Sequence, residues 1–181
     1  LNPPRKETGK FVLLFVGSGF ERKGLQFCIK ALAQLPANVE LHVVGKGSIG
    51  LYQRLAEKLG VASRVIFRGP IQNVEIIYPE ADILVHPAIY EPFGNVVLEA
   101  MACGMPVVAA SFVGASEIIV PGKNGAVVQN PGDADEFAAA IRPLLHHETL
   151  AAMSLPARKT AESHSISRYV DEILKVISAL K

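Results

Sequence analysis

The sequence contains no apolar run of the ~20 residues that a transmembrane helix needs, and it has only two cysteines in 181 residues. It also lacks an excess of charge, because 18 Lys and Arg residues nearly balance 17 Asp and Glu residues, for a net charge of +1. A basic nucleic-acid-binding surface is therefore not indicated, and we expect no nucleic-acid partner. The opening segment LNPPRKETGK lacks a signal-peptide core and an initiator Met, so we expect a linker cut from a longer protein.

The two cysteines, Cys28 and Cys103, fall at apolar positions of predicted helices. We interpret them as reduced core thiols in a reducing compartment, with a disulfide between them as the less favoured alternative. Half of the residues are hydrophobic and 19% are charged, which is an ordinary globular composition. A chain of this length forms one domain with a sizeable core, so we expect a single domain over residues 1–181.

Short apolar runs alternate with helical stretches along the chain. The predicted strands are FVLLFVG, VELHVVG, RVIFRG, DILVHP, PVVAA and GAVVQ. Longer helices are predicted over about 23–35, 51–59 and 134–145, and another begins near Asn95. Shorter helical stretches are predicted through Ile76 and at 116–119. The last third of the chain is helical and more polar. Continuously apolar strands that alternate with helices predict an α/β fold, a Rossmann-like parallel sheet with helices on both faces.

Four segments with chemically distinctive residues each follow a predicted strand. They are residues 17–24, 68–73, 86–95 and 111–117. Ligands of open parallel sheets bind beyond the carboxyl ends of the strands, near the point where the strand order reverses. The sequence therefore predicts one ligand site to which all four segments contribute.

The segment EPFGNVVLE holds two carboxylates, Glu91 and Glu99, around a predicted helix start near Asn95. Unpaired amides at a helix start bind anions such as phosphate. A carboxylate on each side of such a site can accept hydrogen bonds from sugar hydroxyls, so the spacing indicates a sugar joined to a phosphate. The alternative from spacing alone is an ordinary helix start with two surface glutamates.

The segment GSGFERKG, residues 17–24, places glycines after the first strand and two cations just beyond them. Glycines allow the backbone to approach a ligand closely. Arg22 can grip a pyrophosphate with two hydrogen bonds, and Lys23 supplies a point charge. The alternative is a glycine-rich turn with two solvated basic residues.

Two further patterns resemble known motifs but lack their context. GKGSIG, residues 45–50, matches the dinucleotide fingerprint Gly-x-Gly-x-x-Gly, yet no Asp or Glu lies near Val65, where the ribose-binding acid is expected. A tight turn explains these glycines equally well. The Asp133 to Asp135 pair follows Pro-Gly and precedes Glu136, which favours a helix capping box over a metal site.

The remaining chemistry-bearing residue is His86, which ends the fourth predicted strand. A buried, hydrogen-bonded core histidine is the favoured interpretation, with a catalytic role as the alternative. No other cluster of His, Cys and carboxylates has the spacing of metal ligands, so we expect no metal site.

Taken together, Glu-x7-Glu, EAMACGMPVVAA, GASEII, GKNGAVV, FVGSGFERKG and ADILVHPAIYEPFG resemble the C-terminal half of a retaining family 4 glycosyltransferase of the two-domain GT-B type. GSGFERKG is most similar to the lipopolysaccharide core glucosyltransferases of that family. Many members carry Arg directly after the first glycine, whereas this chain has Ser18. Either one phosphate-binding cation is missing, or Arg22 supplies it.

The resemblance implies a role for each site residue. Glu91 contacts the donor sugar hydroxyls, Glu99 holds the ribose, and Arg22 and Lys23 bind the diphosphate. The implied catalytic set is Glu91, Arg22 and Lys23. The implied donor-binding set is Gly17, Ser18, Gly19, Arg68, Ile71, Phe93, Gly94, Asn95, Val96 and Glu99. Of these, Arg68 and Ile71 are the candidates for backbone contacts with the nucleotide base, and from the sequence alone an ordinary Gly-Pro turn explains their segment equally well.

The resemblance also implies a reaction and its partners. The donor is a nucleotide sugar, UDP-glucose or alternatively GDP-mannose, and the transfer retains configuration without a metal or cofactor. The acceptor is lipid-linked or a saccharide, as in lipopolysaccharide core synthesis, and binds through an N-terminal domain that this chain lacks. A helix over about 164–181 crosses back to that domain, or its apolar stripe is ordinary core. The full protein is then cytoplasmic, with peripheral contact at the inner face of the membrane. Two other classes stay open, a dinucleotide-dependent oxidoreductase domain and a non-catalytic Rossmann-like binding domain.

Overall fold

The computed structural model describes residues 9–179, which form one parallel sheet of six strands. The strands are β1 (Phe11–Val16), β2 (Val39–Val44), β3 (Val65–Gly69), β4 (Ile83–His86), β5 (Val107–Ala110) and β6 (Gly125–Val128). Their order across the sheet is β3-β2-β1-β4-β5-β6, and every neighbouring pair is parallel. The predicted Rossmann-like α/β fold is confirmed, with all six predicted strands in place.

Six α-helices connect and follow the strands in the described part of the chain. They are α1 (Leu25–Leu32), α2 (Ile49–Lys58), α3 (Asn95–Ala102), α4 (Ala134–Ile141), α5 (His147–Ser163) and α6 (Ile166–Ala179). Short 3-10 turns lie at Ala62–Arg64, Val74–Ile76, Tyr78–Glu80, Gly114–Ile118 and Arg142–Leu144. The helix predicted over 134–145 therefore ends at Ile141 and continues only as a 3-10 turn. The helix predicted from Lys23 begins two residues later, at Leu25.

Both faces of the sheet are buried, which explains why its strands read as continuous apolar runs. Successive side chains of a strand point to opposite faces. In β1, Leu13 and Phe15 pack into the core that includes Ile29 and Phe137, from α1 and α4. The intervening Leu14 packs into the second core, on the α3 side of the sheet. Burying each such side chain contributes roughly 1.5–3 kcal/mol to folding.

The start of α4 shows what the Asp133 to Asp135 pair does. The Asp133 side chain accepts hydrogen bonds from the backbone N–H groups of Asp135, at 2.9 Å, and Glu136, at 3.3 Å, so the predicted N-cap is confirmed. The reciprocal half of the capping box is wrong, because the Glu136 carboxylate accepts from the N–H groups of Gln129 and Asn130 instead. Residues 9–179 contain no group of three or more His, Cys, Asp or Glu side chains that could hold a metal ion.

The two cysteines form no disulfide, and the last helix is not part of the core. Cys28 and Cys103 are both free, and burial raises the pKa of each thiol. Every described residue of α6 is exposed, so no residue of its apolar face is buried in this domain. That face contains Ile166, Tyr169, Val170, Ile173, Leu174 and Ile177. Within the described range, no helix is both long enough and apolar enough to cross a membrane.

The strand order fixes where a ligand can bind. The chain runs from β1 outward to β2 and β3, and then crosses to β4 on the other side of β1. The connections after β1 and β4 therefore leave the sheet in opposite directions, which opens a crevice between the carboxyl ends of these two strands.

Candidate functional site

Two loops close this crevice and are bonded to each other. The loop after β1 covers residues 17–24, and the loop after β4 covers residues 87–94. The N–H of Ile89 donates to the carbonyl of Arg22 at 3.0 Å. A Cβ at Gly24 would lie 2.1 Å from the carbonyl oxygen of Pro87, so glycine is required for the loops to approach this closely.

The predicted cations and the first predicted carboxylate meet at this junction. Lys23 Nζ donates to Glu91 Oε2, and Arg22 Nη1 lies 3.2 Å from the same oxygen. Arg22 also donates to the carbonyl of Tyr90 at 2.9 Å. Burial favours a higher pKa for Glu91, but the hydrogen bonds and charges of Lys23 and Arg22 outweigh it and hold the pKa below its ordinary value. Glu91 is therefore a carboxylate at neutral pH.

The backbone of Glu91 is held by the loop that follows β5. Its N–H donates to Phe112 at 3.3 Å, and its carbonyl accepts from Gly114 at 3.0 Å, as part of an isolated parallel bridge to Val113. The predicted segment 111–117 therefore reaches the site, where it fixes the main chain of the residue that carries the carboxylate.

The start of α3 presents unpaired backbone amides beside Glu91. Gly94 caps the helix in the left-handed conformation, with φ 93°, and has no side chain that could accept from the first-turn N–H groups. The first four N–H groups of a helix lack an intrahelical acceptor, so those of Asn95 and Val96 can bind an anion. Phe93 is anchored next to them, because its carbonyl accepts from Ala115 at 2.8 Å.

The second predicted carboxylate, Glu99, lies one turn into α3 and has a partner that the sequence did not reveal. The buried Tyr78 donates its hydroxyl to Glu99 Oε2 at 2.6 Å. Burial and the neighbouring carboxylate raise the pKa of Tyr78, which keeps the hydroxyl protonated as a donor. A single Tyr in a 3-10 turn belongs to no recognisable pattern, so only the structure identifies it.

The remaining predicted donor-binding residues lie in the loop after β1, near the end of β3 and in the loop after β3. Arg68 pairs its side chain with Glu80 at 2.9 Å, and Ile71 packs into the α3-side core. The Ser18 hydroxyl accepts from the N–H of Lys46 at 3.2 Å. The N–H of Gly17 donates to the carbonyl of Val44, at the end of β2, and the N–H of Gly19 donates to that of Lys46. The structure brings these residues to the same edge of the sheet, and their contacts with a base stay predictions.

Close packing accounts for two glycines of the GKGSIG segment. A Cβ at Gly45 would lie 2.0 Å from the carbonyl oxygen of Gly17, and one at Gly47 would lie 2.3 Å from the ring of Phe20. These contacts hold the loop after β2 against the loop after β1. The fingerprint spacing therefore has a structural explanation that does not involve a dinucleotide.

His86 differs from its predicted role. It ends β4 fully buried, with 0% exposure, as expected. Neither ring nitrogen has a hydrogen-bond partner within residues 9–179, so the expectation of a hydrogen-bonded core histidine is wrong. Burial, together with the positive charges of Lys23 and Arg22, lowers the pKa of His86 to about 4, against an opposing effect of Glu91. The imidazole is therefore neutral at pH 7.

Comparison with known proteins identifies a family whose members this chain resembles in sequence. The model of the family described as "Glycosyl transferases group 1" matches residues 2–161. The lipopolysaccharide glucosyltransferase WaaG of Escherichia coli K12 is 34% identical over 172 residues, which is 92% of this chain and 46% of WaaG. A D-inositol 3-phosphate glycosyltransferase of Geodermatophilus obscurus is 37% identical over 184 residues, which is 93% of this chain and 40% of that protein.

A solved structure extends the match to the fold. The crystal structure of Anabaena Alr3699/HepE in complex with UDP-glucose superimposes with a TM-score of 0.84 at 30% identity. The superposition covers 94% of this chain and 49% of that one. The matched region thus spans less than half the length of each of these three proteins.

Proposed function

The chain belongs to the glycosyl transferases of group 1, and on that premise we propose that it is the donor-binding domain of a retaining hexosyltransferase. The observation that carries the proposal is the meeting of Glu91 with Arg22 and Lys23 beside the uncapped start of α3. Two cations and free amides bind a diphosphate, and a carboxylate next to them binds the hydroxyls of the attached sugar.

In this proposal the site acts mainly on the leaving group. The bond between the anomeric carbon and the diphosphate oxygen breaks, and the acceptor hydroxyl attacks from the same face and passes its proton to the departing phosphate. Negative charge that grows on the phosphate is stabilised by Arg22, Lys23 and the first amides of α3. Removing one such donor costs roughly 2.7–4 kcal/mol in comparable sites. These charges serve the reaction without a metal ion or an organic cofactor.

The two glutamates hold the two sugars of the donor. Glu91 accepts from hydroxyls of the transferred hexose, and Glu99, held by Tyr78 at 2.6 Å, accepts from the ribose hydroxyls. The backbone amides of Phe93, Gly94 and Asn95 bind the diphosphate, between the positions of the hexose and the ribose. This arrangement agrees with the order of sugar, diphosphate and ribose along a nucleotide sugar.

UDP-glucose is the proposed donor, and lipopolysaccharide core synthesis the proposed pathway. The name of WaaG as a lipopolysaccharide glucosyltransferase supports the pathway and the transferred glucose, and the HepE structure in complex with UDP-glucose supports the donor. GDP-mannose is the rival donor.

The acceptor, a lipid-linked or other saccharide, would bind through the N-terminal half that the resemblance to two-domain enzymes implies, and the match to only 46% of WaaG leaves room for such a half. We further propose that α6 crosses to that half. The whole protein would work in the cytoplasm, with peripheral contact at the inner face of the membrane, and its two free thiols suit a reducing compartment.

Calorimetric titration of the chain with UDP, UDP-glucose, GDP-mannose and NAD tests the proposal. We expect UDP and UDP-glucose to bind, and Glu99→Ala to weaken both at least tenfold, because a carboxylate that accepts two hydroxyls is lost. Glu57→Ala, an exposed glutamate on α2, is the matched control and should bind like the parent chain. Binding of NAD alone would favour an oxidoreductase domain, and preference for GDP-mannose would change the donor but not the reaction class.

A further inference from the structure

Glu91 forms ion pairs with the two cations that a donor diphosphate is expected to bind. One of its oxygens, Oε2, contacts both Lys23 Nζ and Arg22 Nη1. A diphosphate that approaches these cations meets a fixed negative charge, and like charges at such short range repel strongly. Either the carboxylate must therefore move away from the cations, or the phosphate cannot bind them.

The lysine is not the group that moves. A Cβ at Gly17 would lie 3.3 Å from both Cγ and Cε of Lys23, so the aliphatic stem lies along the loop after β1. The Lys23 side chain is only 12% exposed. The main chain of Glu91 is also fixed, by its backbone bonds to Phe112 and Gly114. What remains free to turn is the Glu91 side chain.

A destination for that side chain lies beside Gly94. A Cβ built at Gly94 would lie 3.3 Å from Glu91 Cγ and 3.5 Å from His86 Nε2. The glutamate stem and the imidazole nitrogen therefore lie around the same point as Val113 Cγ1, which is 3.0 Å from it, so the Glu91 stem is close to His86 and position 94 leaves no room for a side chain. Both ring nitrogens of His86 lack a partner within the described residues, and a buried polar group without one requires an explanation.

We propose that His86 is a positioning residue, which receives the Glu91 carboxylate through an imidazole N–H when a diphosphate displaces it from Arg22 and Lys23. The inference rests on the proposed donor-binding function. After this exchange of partners, Arg22 and Lys23 bind the phosphates, and the Glu91 carboxylate is held where it can accept hydrogen bonds from the sugar. The charged groups that face His86 are Lys23, Arg22 and Glu91. Burial lowers the pKa of His86 most, and a bound phosphate that neutralises Lys23 and Arg22 removes their part of the lowering.

A matched pair of variants separates hydrogen bonding from packing at this position. Gln and Met have similar length, but only Gln can donate a hydrogen bond to a carboxylate. We expect His86→Met to weaken the binding of UDP and of inorganic pyrophosphate about tenfold, because the displaced carboxylate then has no buried partner. His86→Gln should bind within about twofold of the parent chain. Equal weakening by both variants would overturn the proposal, since it would show a purely structural role.

A double-mutant cycle with Glu91 sharpens the test. Glu91→Ala removes the internal anion, so we expect inorganic pyrophosphate to bind roughly tenfold more tightly. In that background His86 has nothing to receive, and His86→Met and His86→Gln should bind pyrophosphate equally. A difference between them that persists without Glu91 would show that His86 acts on the ligand by another route, and would overturn the assignment.

The parent chain offers a readout that does not depend on the folding of any variant. NMR titration of the His86 ring should show its pKa rising from about 4 by at least one unit when pyrophosphate is bound. The rise should be smaller in Glu91→Ala. An unchanged pKa overturns the proposal.

The same experiments distinguish failure of the inference from failure of the proposed function. If UDP binds the parent chain and Glu99→Ala weakens it, while Met and Gln at position 86 behave alike, the donor site stands and the exchange is wrong. If UDP binds none of the chains, the proposed function of this chain fails, and the exchange fails with it.

Discussion

At the scale of single residues, the hydroxyl of Tyr78 determines how Glu99 faces the site. We predict that Tyr78→Phe weakens UDP binding about fivefold, because Glu99 loses the 2.6 Å hydrogen bond that orients it, and such a bond contributes roughly 1 kcal/mol. Calorimetry measures the change. Tyr52→Phe on α2 removes a hydroxyl from another buried tyrosine and should leave the affinity unchanged. Equal loss in both variants would contradict a specific role for Tyr78.

The two cations should contribute unequally to diphosphate binding. Lys23 is 12% exposed, whereas Arg22 is 51% exposed, so solvent screens the arginine more. We predict that Lys23→Met weakens UDP binding at least tenfold and Arg22→Met only a few-fold, with the arginine contribution decreasing further at high salt. The exposed Lys58 on α2 provides the control, because Lys58→Met should change neither affinity nor salt dependence. A larger effect at Arg22 would contradict this ranking.

The buried neutral His86 should make stability depend on pH. Its pKa is about 4 in the folded chain and about 6.5 in an unfolded one. Between these values the unfolded state binds the extra proton, so the contribution is fully present above pH 6.5 and is lost as pH falls towards 4. We predict a decrease in the free energy of unfolding of roughly 2–3 kcal/mol across this window. Chemical denaturation at several pH values measures it, and His86→Met should remove most of that slope.

The sequence predicted which residues form the site better than it predicted their hydrogen-bond partners. Arg22, Lys23 and Glu91 stood out because charged residues next to glycines and helix starts form recognisable patterns, and the structure brings these three together. Tyr78 reaches Glu99 from 21 positions away, and His86 is notable for a hydrogen bond that it does not make. Both features depend on packing between distant segments, which no local pattern encodes.

At the scale of elements, Asn124 joins the turn before β6 to α5. The side chain is 1% exposed, and it accepts from Val120 N at 2.7 Å and donates to Ile118 O at 3.1 Å and Thr160 Oγ1 at 3.0 Å. We predict that Asn124→Ala lowers the free energy of unfolding by about 2–3 kcal/mol, because three part-buried hydrogen bonds of a buried side chain are lost. Thermal and urea unfolding measure the change. Lys123→Ala, an exposed neighbour, should stay within about 0.5 kcal/mol of the parent.

The elements that the sequence predicted best are those with one dominant physical cause. A strand buried on both faces must be apolar throughout, so β1, β4 and β5 were evident. The bounds of α5 were not, because Pro156 lies inside this helix, where proline normally ends one. The Thr160 hydroxyl donates to the Pro156 carbonyl at 3.0 Å, and the contact of α5 with α3 stabilises a helix that its local sequence would not.

At the scale of the whole molecule, the main feature is the apolar face of α6, which stays exposed in this domain. No described residue of α6 is buried, and even the most covered residue of its apolar stripe, Ile173, is 40% exposed. An isolated helix of 14 residues is marginal in water. Its stability must therefore come from something that covers the stripe, and the proposed crossing to an N-terminal half supplies such a surface.

This reasoning predicts that α6 is independent of the rest of the chain. A chain shortened to residues 1–165 should keep its unfolding midpoint within about 1 °C and its UDP affinity within about twofold, because the deletion removes no buried contact. A midpoint lowered by several degrees would instead show that α6 packs on this domain. Hydrogen exchange completes the argument: the amides of α6 should exchange within seconds in this chain and become protected in the full protein. Fast exchange in both would leave the apolar stripe uncovered and contradict the crossing.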